Sequence, residues 1–491
     1  MLKAMGGQPP PSGQLQQKKR DTMTTNRIKG TVVVDVNRCK GCNLCVVACP
    51  THTLALTTKE VNHRGYAFSH AVADTCIGCS SCAIVCPDAC ITVYKEKTNK
   101  PGVAAVQAKA AQEPLKAALP ANGCAQIHPL PTDESHEVML MKGNEAIARA
   151  AIRCGCDGYF GYPITPQSEV LETLAELKPW ETTGMIVVQA ESEVASINML
   201  YGGGGTGKRV MTSSSSPGIA LMQEGISYMA GAEIPGLIVN VQRGGPGLGT
   251  IQPSQSDYNQ ATRGGGNGDY NVIVLAPASV QEMADFVDLA FELAFKYRNP
   301  AMILSDGVIG QMMEKVVLPP YKPRRTEEEI AQECPWAANG HGLKHRKPNI
   351  ITSLELDPLE MEKKNLHLQA KYKKIRENEV RYETQQVEDA ELLIVAFGSA
   401  ARISQKAMEI ARERGIKVGL FRPITLWPFP TREIAALADK VKGILTVEIN
   451  AGQMVFDVRN AVEGRIPVRH FGRLGGIVPD PDEIVAELEK F

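Results

Sequence analysis

The chain has 491 residues and a formal charge of −1, from 53 basic and 54 acidic side chains, with 43% hydrophobic and 22% charged residues. This balance excludes a strongly basic nucleic-acid binder and a highly charged disordered chain, and the length implies about three domains. No stretch approaches the ~18 consecutive apolar residues of a spanning helix; with no signal peptide visible, no membrane partner and a cytoplasmic location are expected.

In chain order, residues 1–28 come first, rich in Gly, Pro, Gln and Lys without a hydrophobic run. They read as a disordered extension, with Met5 or Met23 as alternative starts. Two cysteine runs follow, Cys39-x2-Cys42-x2-Cys45-x3-Cys49-Pro50 and Cys76-x2-Cys79-x2-Cys82-x3-Cys86-Pro87, so eight of the thirteen cysteines obey one spacing used twice. That spacing builds iron–sulfur clusters. Zinc sites usually take two short pairs across a long gap, whereas each run here packs four sulfurs into eleven residues. Disulfides would require an oxidising compartment. The runs resemble the bacterial two-cluster ferredoxin fold over about residues 29–94. The resemblance implies two 4Fe–4S clusters with the fourth cysteine of each run crossing over. Cys39, Cys42, Cys45 and Cys86 would then hold one cluster, and Cys76, Cys79, Cys82 and Cys49 the other. Electron transfer is expected.

The ferredoxin-like domain is assigned to 29–98 and a linker rich in Ala, Pro, Gln and Lys to 99–134. From residue 137, strands and helices alternate. Strands are expected at 158–162, 185–190, 210–213, 237–241, 272–275 and 301–304, with helices at 143–154, 171–180, 191–201 and 219–230. Ser279 with Glu282 reads as a capping box opening another helix, in which Val280, Met283, Val287, Ala290 and Ala294 share one face. Such alternation implies a parallel sheet covered by helices on both faces. The pattern breaks over 307–388, where prolines lead into Glu327-Glu328-Glu329 and then a polar surface helix at 359–381. Strands at 392–397, 418–421 and 444–447 begin a second, smaller α/β domain. The domains are drawn at 135–318 and 389–491, with an inter-domain excursion over 319–388.

Tyr162-Pro163-Ile164-Thr165-Pro166-Gln167-Ser168-Glu169 follows an expected strand, so its two prolines would hold the Thr165 hydroxyl at a strand's C-terminal edge, where open parallel sheets bind ligands. This octapeptide resembles the signature of the α subunit of thiamine-dependent 2-oxoacid:ferredoxin oxidoreductases. Gln189-Ala190-Glu191-Ser192-Glu193, residues 212–218, Gln242-Arg243-Gly244-Gly245-Pro246, Gln255-Ser256-Asp257-Tyr258 and the run from Arg422 to Pro430 extend the likeness in order. The cysteine-rich part is similar to the separate δ subunit of four-subunit relatives.

The resemblance implies a fold: α/β, with a thiamine-enzyme pyrimidine-type domain and a transketolase C-terminal-like domain, behind an N-terminal α+β two-cluster ferredoxin domain. It implies that Tyr162, Pro163, Ile164, Thr165 and Glu193 bind thiamine diphosphate. Glu193 would sit at the aminopyrimidine ring, favouring the imino tautomer that removes the thiazolium proton. Glu191 competes for that role, and capping a helix is the simpler use of Glu193. Thr165 and Arg243 match positions that bind the 2-oxoacid carboxylate.

The run Gly202 to Lys208 superficially fits a phosphate loop, but Arg209 replaces the Ser/Thr that would hold magnesium, so a flexible helix-to-strand connection is expected. Cys90, Cys124, Cys154, Cys156 and Cys334 read as structural thiols. The Gly-Asp-Gly and later Asn pair that hold diphosphate and Mg2+ are missing, since Ser305-Asp306-Gly307 lacks the first glycine. A β subunit would therefore supply the diphosphate and Mg2+ half; the resemblance adds a γ subunit, coenzyme A as co-substrate and external ferredoxin as acceptor. Gly264-Gly265-Gly266-Asn267-Gly268-Asp269-Tyr270 looks like the 2-oxoisovalerate branch, with 2-oxoglutarate and pyruvate as alternatives. A non-catalytic electron carrier or scaffold is the competing class.

Overall fold

A computed structural model describes residues 30–42, 44–58, 60–84, 86, 90–95, 137–340 and 348–491. The expected extension at 1–28 and linker at 99–134, with Cys124 and Pro87, lie outside the described residues. The chain divides into two units, 1–123 and 124–491.

The first unit is built twice over. Strand Gly30–Val34, helix Leu44–Val47 and strand Leu54–Leu56 are followed by strand Ser69–Ala71, helix Ser81–Ile84 and strand Ile91–Lys95. The two outer strands pair antiparallel from Gly30↔Lys95 to Val34↔Ile91, and the two inner ones from Leu54↔Ala71 to Leu56↔Ser69. β-branched residues favour the outer pair. Cys39, Cys45, Cys82 and Cys90 are themselves core residues, packed with Val32, Leu54 and Ile91.

The second unit holds a seven-stranded sheet in the order Thr425–Trp427, Ile273–Leu275, Pro300–Asp306, Gly236–Gln242, Val210–Ser214, Gly158–Gly161, Ile186–Gln189. All neighbours are parallel except the first pair. Strands Gly236–Gln242 and Pro300–Asp306 are buried at every residue, as a sheet covered on both faces requires. After Gly158–Gly161 the chain goes to one side for Ile186–Gln189 and then to the other for Val210–Ser214, so the sheet reverses direction between Gly158–Gly161 and Val210–Ser214. Those two strands pair only at Gly158↔Val210 and Tyr159↔Met211. Beyond that the sheet opens toward its C-terminal edge, the place where such sheets take ligands.

A five-stranded sheet, in the order Tyr382–Gln385, Val418–Pro423, Leu392–Ala396, Gly443–Glu448, Val468–Gly472, forms the second core. Two buried side chains lock the cores together. Gln255 bonds Phe397 O at 2.8 Å and the Ile449 N–H at 3.1 Å. Asp306 caps helix Gly307–Gln311 and accepts the Ser399 hydroxyl at 2.6 Å. Asp306 is thus committed to structure.

Several local expectations need correction. Met313–Val317 lies inside the supposed break and pairs antiparallel with Val138–Lys142. Glu327, Glu328 and Glu329 form the first turn of helix Glu327–Glu333, where acidic side chains suit the helix dipole. Gly202, Gly203, Gly204 and Gly205 are the last turns of helix Glu193–Gly205. At Gly204 a side chain would collide, since a Cβ would stand 2.4 Å from Pro235 O. Thr425–Trp427, in the Arg422 to Pro430 run, crosses to edge the first sheet. Only half of the Ser279 box forms: Ser279 Oγ accepts the Glu282 N–H at 3.1 Å, but the Glu282 carboxylate takes the Ala278 N–H and the Arg422 guanidinium. Among the described residues no helix is long and apolar enough to cross a membrane.

Candidate active site and electron-transfer centres

At the opened edge of the seven-stranded sheet, the turn after Gly158–Gly161 is pinned from below. Gln167, fully buried, donates to Tyr162 O at 3.0 Å and accepts from Ser213 Oγ at 2.6 Å, which also bonds the Tyr159 hydroxyl at 2.7 Å. Pro166 O accepts from Asn144 at 2.7 Å and Gln311 at 3.1 Å. The turn so fixed leaves Tyr162, Pro163 and Thr165 exposed and Ile164 half-buried. Rigidity below with exposure above is what a preorganised ligand-facing loop needs.

The structure separates the two glutamates. Glu191 is exposed, whereas Glu193 is buried as the first residue of helix Glu193–Gly205, whose N-cap is Ser192. The Glu193 side chain reaches to the first turn of helix Ser216–Gly231, where a Cβ on Gly218 would stand 2.6 Å from its Oε1 and 2.1 Å from Ser214 Oγ. Among the described residues nothing hydrogen-bonds or ion-pairs the Glu193 carboxylate. The hydroxyls of Thr212, Ser214 and Ser215, on and just beyond the strand beside it, are buried and equally unpartnered. Each unsatisfied buried hydroxyl costs about 1–3 kcal/mol, so this cluster suits a polar ligand or partner. The site thus gains three serine and threonine hydroxyls to which the 212–218 motif gave no role.

Gly218 must be glycine for this cradle to exist. Gly218→Ala is expected to lower stability by about 1–3 kcal/mol through overpacking and to weaken binding of any ligand held at this cradle. Thermal melting and cofactor titration of the assembled enzyme check both.

Arg243 lies on the same edge, 8% exposed. Its guanidinium donates to Thr165 O at 2.8 Å and Leu248 O at 3.0 Å, while Nε is buried without a partner. Thr165 and Arg243 are therefore brought together, with Arg243 bracing two loops as well. Its main chain is held by Ser216, whose Oγ accepts the Arg243 N–H at 3.1 Å and contacts Asp257 Oδ2 at 2.5 Å. Burial pushes the Asp257 carboxyl up, against the pull of its bonds from Ser216 and Asn240. A cavity of about 740 Å3 opens beside Arg243, lined by Pro217, Leu248, Asp257, Ile449 and Leu474 among others. Among the described residues its lining has no Lys, Arg or His. The glycine-rich run 264–270 does not reach this cavity; it packs on helix Ser216–Gly231, where Gln223 Oε1 accepts the Gly265 N–H at 3.0 Å.

In the first unit, backbone N–H groups point at cysteine sulfurs: Ser69 to Cys39 at 3.4 Å, Thr53 to Cys49 at 3.3 Å, Gly78 to Cys76 at 3.4 Å and Cys90 to Cys86 at 3.5 Å. Burial opposes the Cys49 thiolate, but bonds from Thr53 and Thr51 outweigh it and bring the thiol down to about 7. Burial pushes Cys82 up, and the neighbouring charges of Cys49 and Cys79 add to it. Cys49 of the first run thus lies within electrostatic reach of Cys82. Among the described residues no three His, Cys, Asp or Glu side chains converge on a point for one metal ion; a four-iron cluster spaces its sulfurs more widely than a single zinc does. Cys42 and Cys79 are exposed, and Cys154, Cys156 and Cys334 are buried elsewhere.

The chain resembles known proteins along most of its length. Residues 149–387 match the family described as pyruvate flavodoxin/ferredoxin oxidoreductase, thiamine diP-bdg; 390–484 match pyruvate:ferredoxin oxidoreductase core domain II, and 38–90 match the 4Fe-4S dicluster domain. Ketoisovalerate oxidoreductase subunit VorB of Methanothermobacter thermautotrophicus is 49% identical over 354 residues, spanning 72% of this chain and 97% of the relative. The chain belongs to the 2-oxoacid:ferredoxin oxidoreductases. 2-Oxoglutarate synthase subunit KorA of the same organism is 36% identical over 376 residues, spanning 72% of this chain and 99% of the relative. A solved 2-oxoglutarate:ferredoxin oxidoreductase from Magnetococcus marinus, with 2-oxoglutarate, coenzyme A and succinyl-CoA bound, superposes with a TM-score of 0.63 at 29% identity, over 73% of this chain and 66% of that one. As a member of the family the chain is a subunit of a multi-subunit enzyme that oxidatively decarboxylates 2-oxoacids with ferredoxin. It joins a thiamine diphosphate-binding portion to a 4Fe–4S portion, so the stand-alone carrier gives way to an enzyme subunit.

Proposed function

We propose that this chain is a fused αδ subunit that supplies the pyrimidine half of a thiamine diphosphate site and two 4Fe–4S clusters, and that its substrate is 2-oxoisovalerate. The unpartnered, buried Glu193 among unsatisfied hydroxyls carries the reading. Thiamine diphosphate, when bound, supplies the carbanion chemistry of decarboxylation. Glu193 would face the aminopyrimidine ring and hold a proton at its ring nitrogen. Tyr162, Pro163 and Ile164 form the wall of the cofactor site. The Thr165 hydroxyl and the free donors of Arg243 orient the substrate carboxylate; two of the five N–H donors of the guanidinium are already bound to carbonyls, which fixes its plane.

A β subunit supplies the diphosphate and Mg2+ half. In support, Asp306 is consumed as a cap, and apolar side chains flank the half-site: Val194 and Met199 on helix Glu193–Gly205, Leu221 and Tyr228 on helix Ser216–Gly231. Exposed apolar surface beside an incomplete site fits a subunit interface. A γ subunit completes the assembly. Bound 4Fe–4S clusters would supply one-electron transfer to external ferredoxin, and coenzyme A would be the co-substrate that takes the acyl group. Cys39, Cys42, Cys45 and Cys86 hold one cluster; Cys76, Cys79, Cys82 and Cys49 hold the other.

The cavity beside Arg243 supports a branched apolar acid. Among the described residues it offers Leu248, Ile449 and Leu474 to a side chain and no lining cation to a second carboxylate. The VorB relative, named for ketoisovalerate, points the same way. Assaying viologen reduction by the assembled enzyme with 2-oxoisovalerate, 2-oxoglutarate and pyruvate tests the reading; preference for either of the latter two contradicts it. Leu248→Lys is expected to lower kcat/KM for 2-oxoisovalerate by about tenfold or more, the scale of a lost apolar contact, and to raise that for 2-oxoglutarate.

A further inference from the structure

The first unit contains nine cysteines, one more than the eight of its two runs. The ninth, Cys90, is 5% exposed and packs in the unit's core. Its sulfur lies 3.4 Å from the Cys86 sulfur, and its backbone N–H points at the same atom at 3.5 Å. It also meets Cys39, which the crossed assignment places on the same cluster as Cys86.

The other half of the unit shows what this position does. Thr53 stands four residues after Cys49, as Cys90 does after Cys86, and its N–H bonds the Cys49 sulfur at 3.3 Å. The Thr53 hydroxyl bonds those of Thr51 and Thr75 at 2.9 and 3.0 Å, and the Thr51 hydroxyl lies 3.6 Å from the Cys49 sulfur. Each crossing cysteine therefore has an amide donor and a side-chain group within reach of its sulfur. In the second half the side-chain group is a thiol. A cysteine that ligates nothing carries its proton at neutral pH and is a weak S–H donor. Negative charge on the ligating sulfurs grows on reduction, so donors aimed at them stabilise the reduced cluster and raise its potential.

We propose that Cys90 is a positioning residue for the cluster held by Cys39, Cys42, Cys45 and Cys86, donating its S–H to the Cys86 sulfur and setting that cluster's potential. The inference rests on the cluster assignment above. Iron content and EPR-monitored redox titration of the whole assembled enzyme keep the two apart: iron-free wild-type enzyme would remove the assignment itself.

With iron present, Cys90→Ala and Cys90→Ser should both retain the full complement. Cys90→Ala should lower one midpoint, and only one, by the equivalent of about tenfold in the reduction equilibrium, ~59 mV for one electron. Cys90→Ser, which keeps a donor of similar size, should reverse most of that shift and return the midpoint toward the wild-type value. Unchanged midpoints in Cys90→Ala would overturn the proposal. So would iron loss in Cys90→Ala, or full iron retained in Cys86→Ala, because either result puts Cys90 among the ligands.

Discussion

Replacing Glu193 by Gln is expected to cut turnover by about 10²–10⁴-fold, the usual worth of a positioned proton-transfer group, while leaving the melting temperature almost unchanged. The substitution keeps size and hydrogen-bonding capacity and removes only the titratable proton. Folding should not notice, because the carboxylate bonds no described residue and Ser192, which accepts the Ala195 N–H at 3.2 Å, caps the helix without it. Glu191→Gln, at an exposed position, is the matched control and should run at the wild-type rate. Dye-coupled turnover of both variants, with thiamine diphosphate affinity measured alongside, distinguishes the roles. A full-rate Glu193→Gln enzyme would return this residue to the part of a helix-terminal charge.

The second large effect is expected at the cysteines. Serine at Cys42 or Cys79 should abolish ferredoxin reduction and remove roughly half the iron, one cluster of two. Carbon dioxide release with an artificial acceptor should survive. Both side chains are exposed, so neither change opens a hole in the core, and loss of function would report lost ligation. Cys154→Ser is the contrasting case. That thiol is fully buried, burial pushes it up to about 12, and its Sγ lies 3.3 Å from Ala151 O; its replacement should leave the iron untouched. Ferredoxin reduction at the normal rate in Cys42→Ser or Cys79→Ser would take those sulfurs off the electron path.

The strands and helices of the first sheet were legible because each is a continuous apolar or amphipathic run bounded by turn residues. Val210–Ser214 and Gly236–Gln242 fall within a residue or so of expectation. Elements whose reason to exist is tertiary were not legible. Met313–Val317 alternates weakly and is a strand only because Val138–Lys142 lies beside it. Four successive glycines look like a loop by propensity, yet they continue helix Glu193–Gly205, and at Gly203 and Gly204 Val210 and Pro235 approach too closely for a side chain. Glu282 could not be seen to abandon half a capping box, since Arg422 lies 140 residues away and bonds its carboxylate at 2.7 and 2.9 Å.

The same division holds at the site. Thr165, Glu193 and Arg243 sit in motifs that mark themselves by their order along the chain. The unsatisfied hydroxyls of Thr212, Ser214 and Ser215 lie in the recognised 212–218 motif, but their role was not legible, because serine at a strand end is ordinary until its partners are counted in three dimensions. Gln255 and Tyr258, part of the recognised motif Gln255-Ser256-Asp257-Tyr258, prove to join the two cores: Gln255 through Phe397 and Ile449, Tyr258 through Asp457 at 2.6 Å.

Rapid freeze-quench EPR of the oxygen-free assembled enzyme tests most directly the claim that chemistry at the thiamine site discharges into this chain's own clusters. On mixing with 2-oxoisovalerate and coenzyme A, signals of reduced 4Fe–4S clusters should grow within the turnover time and stay absent when thiamine diphosphate is withheld or Glu193 is Gln. Clusters that remain oxidised while carbon dioxide is released and acyl-coenzyme A accumulates would contradict the account.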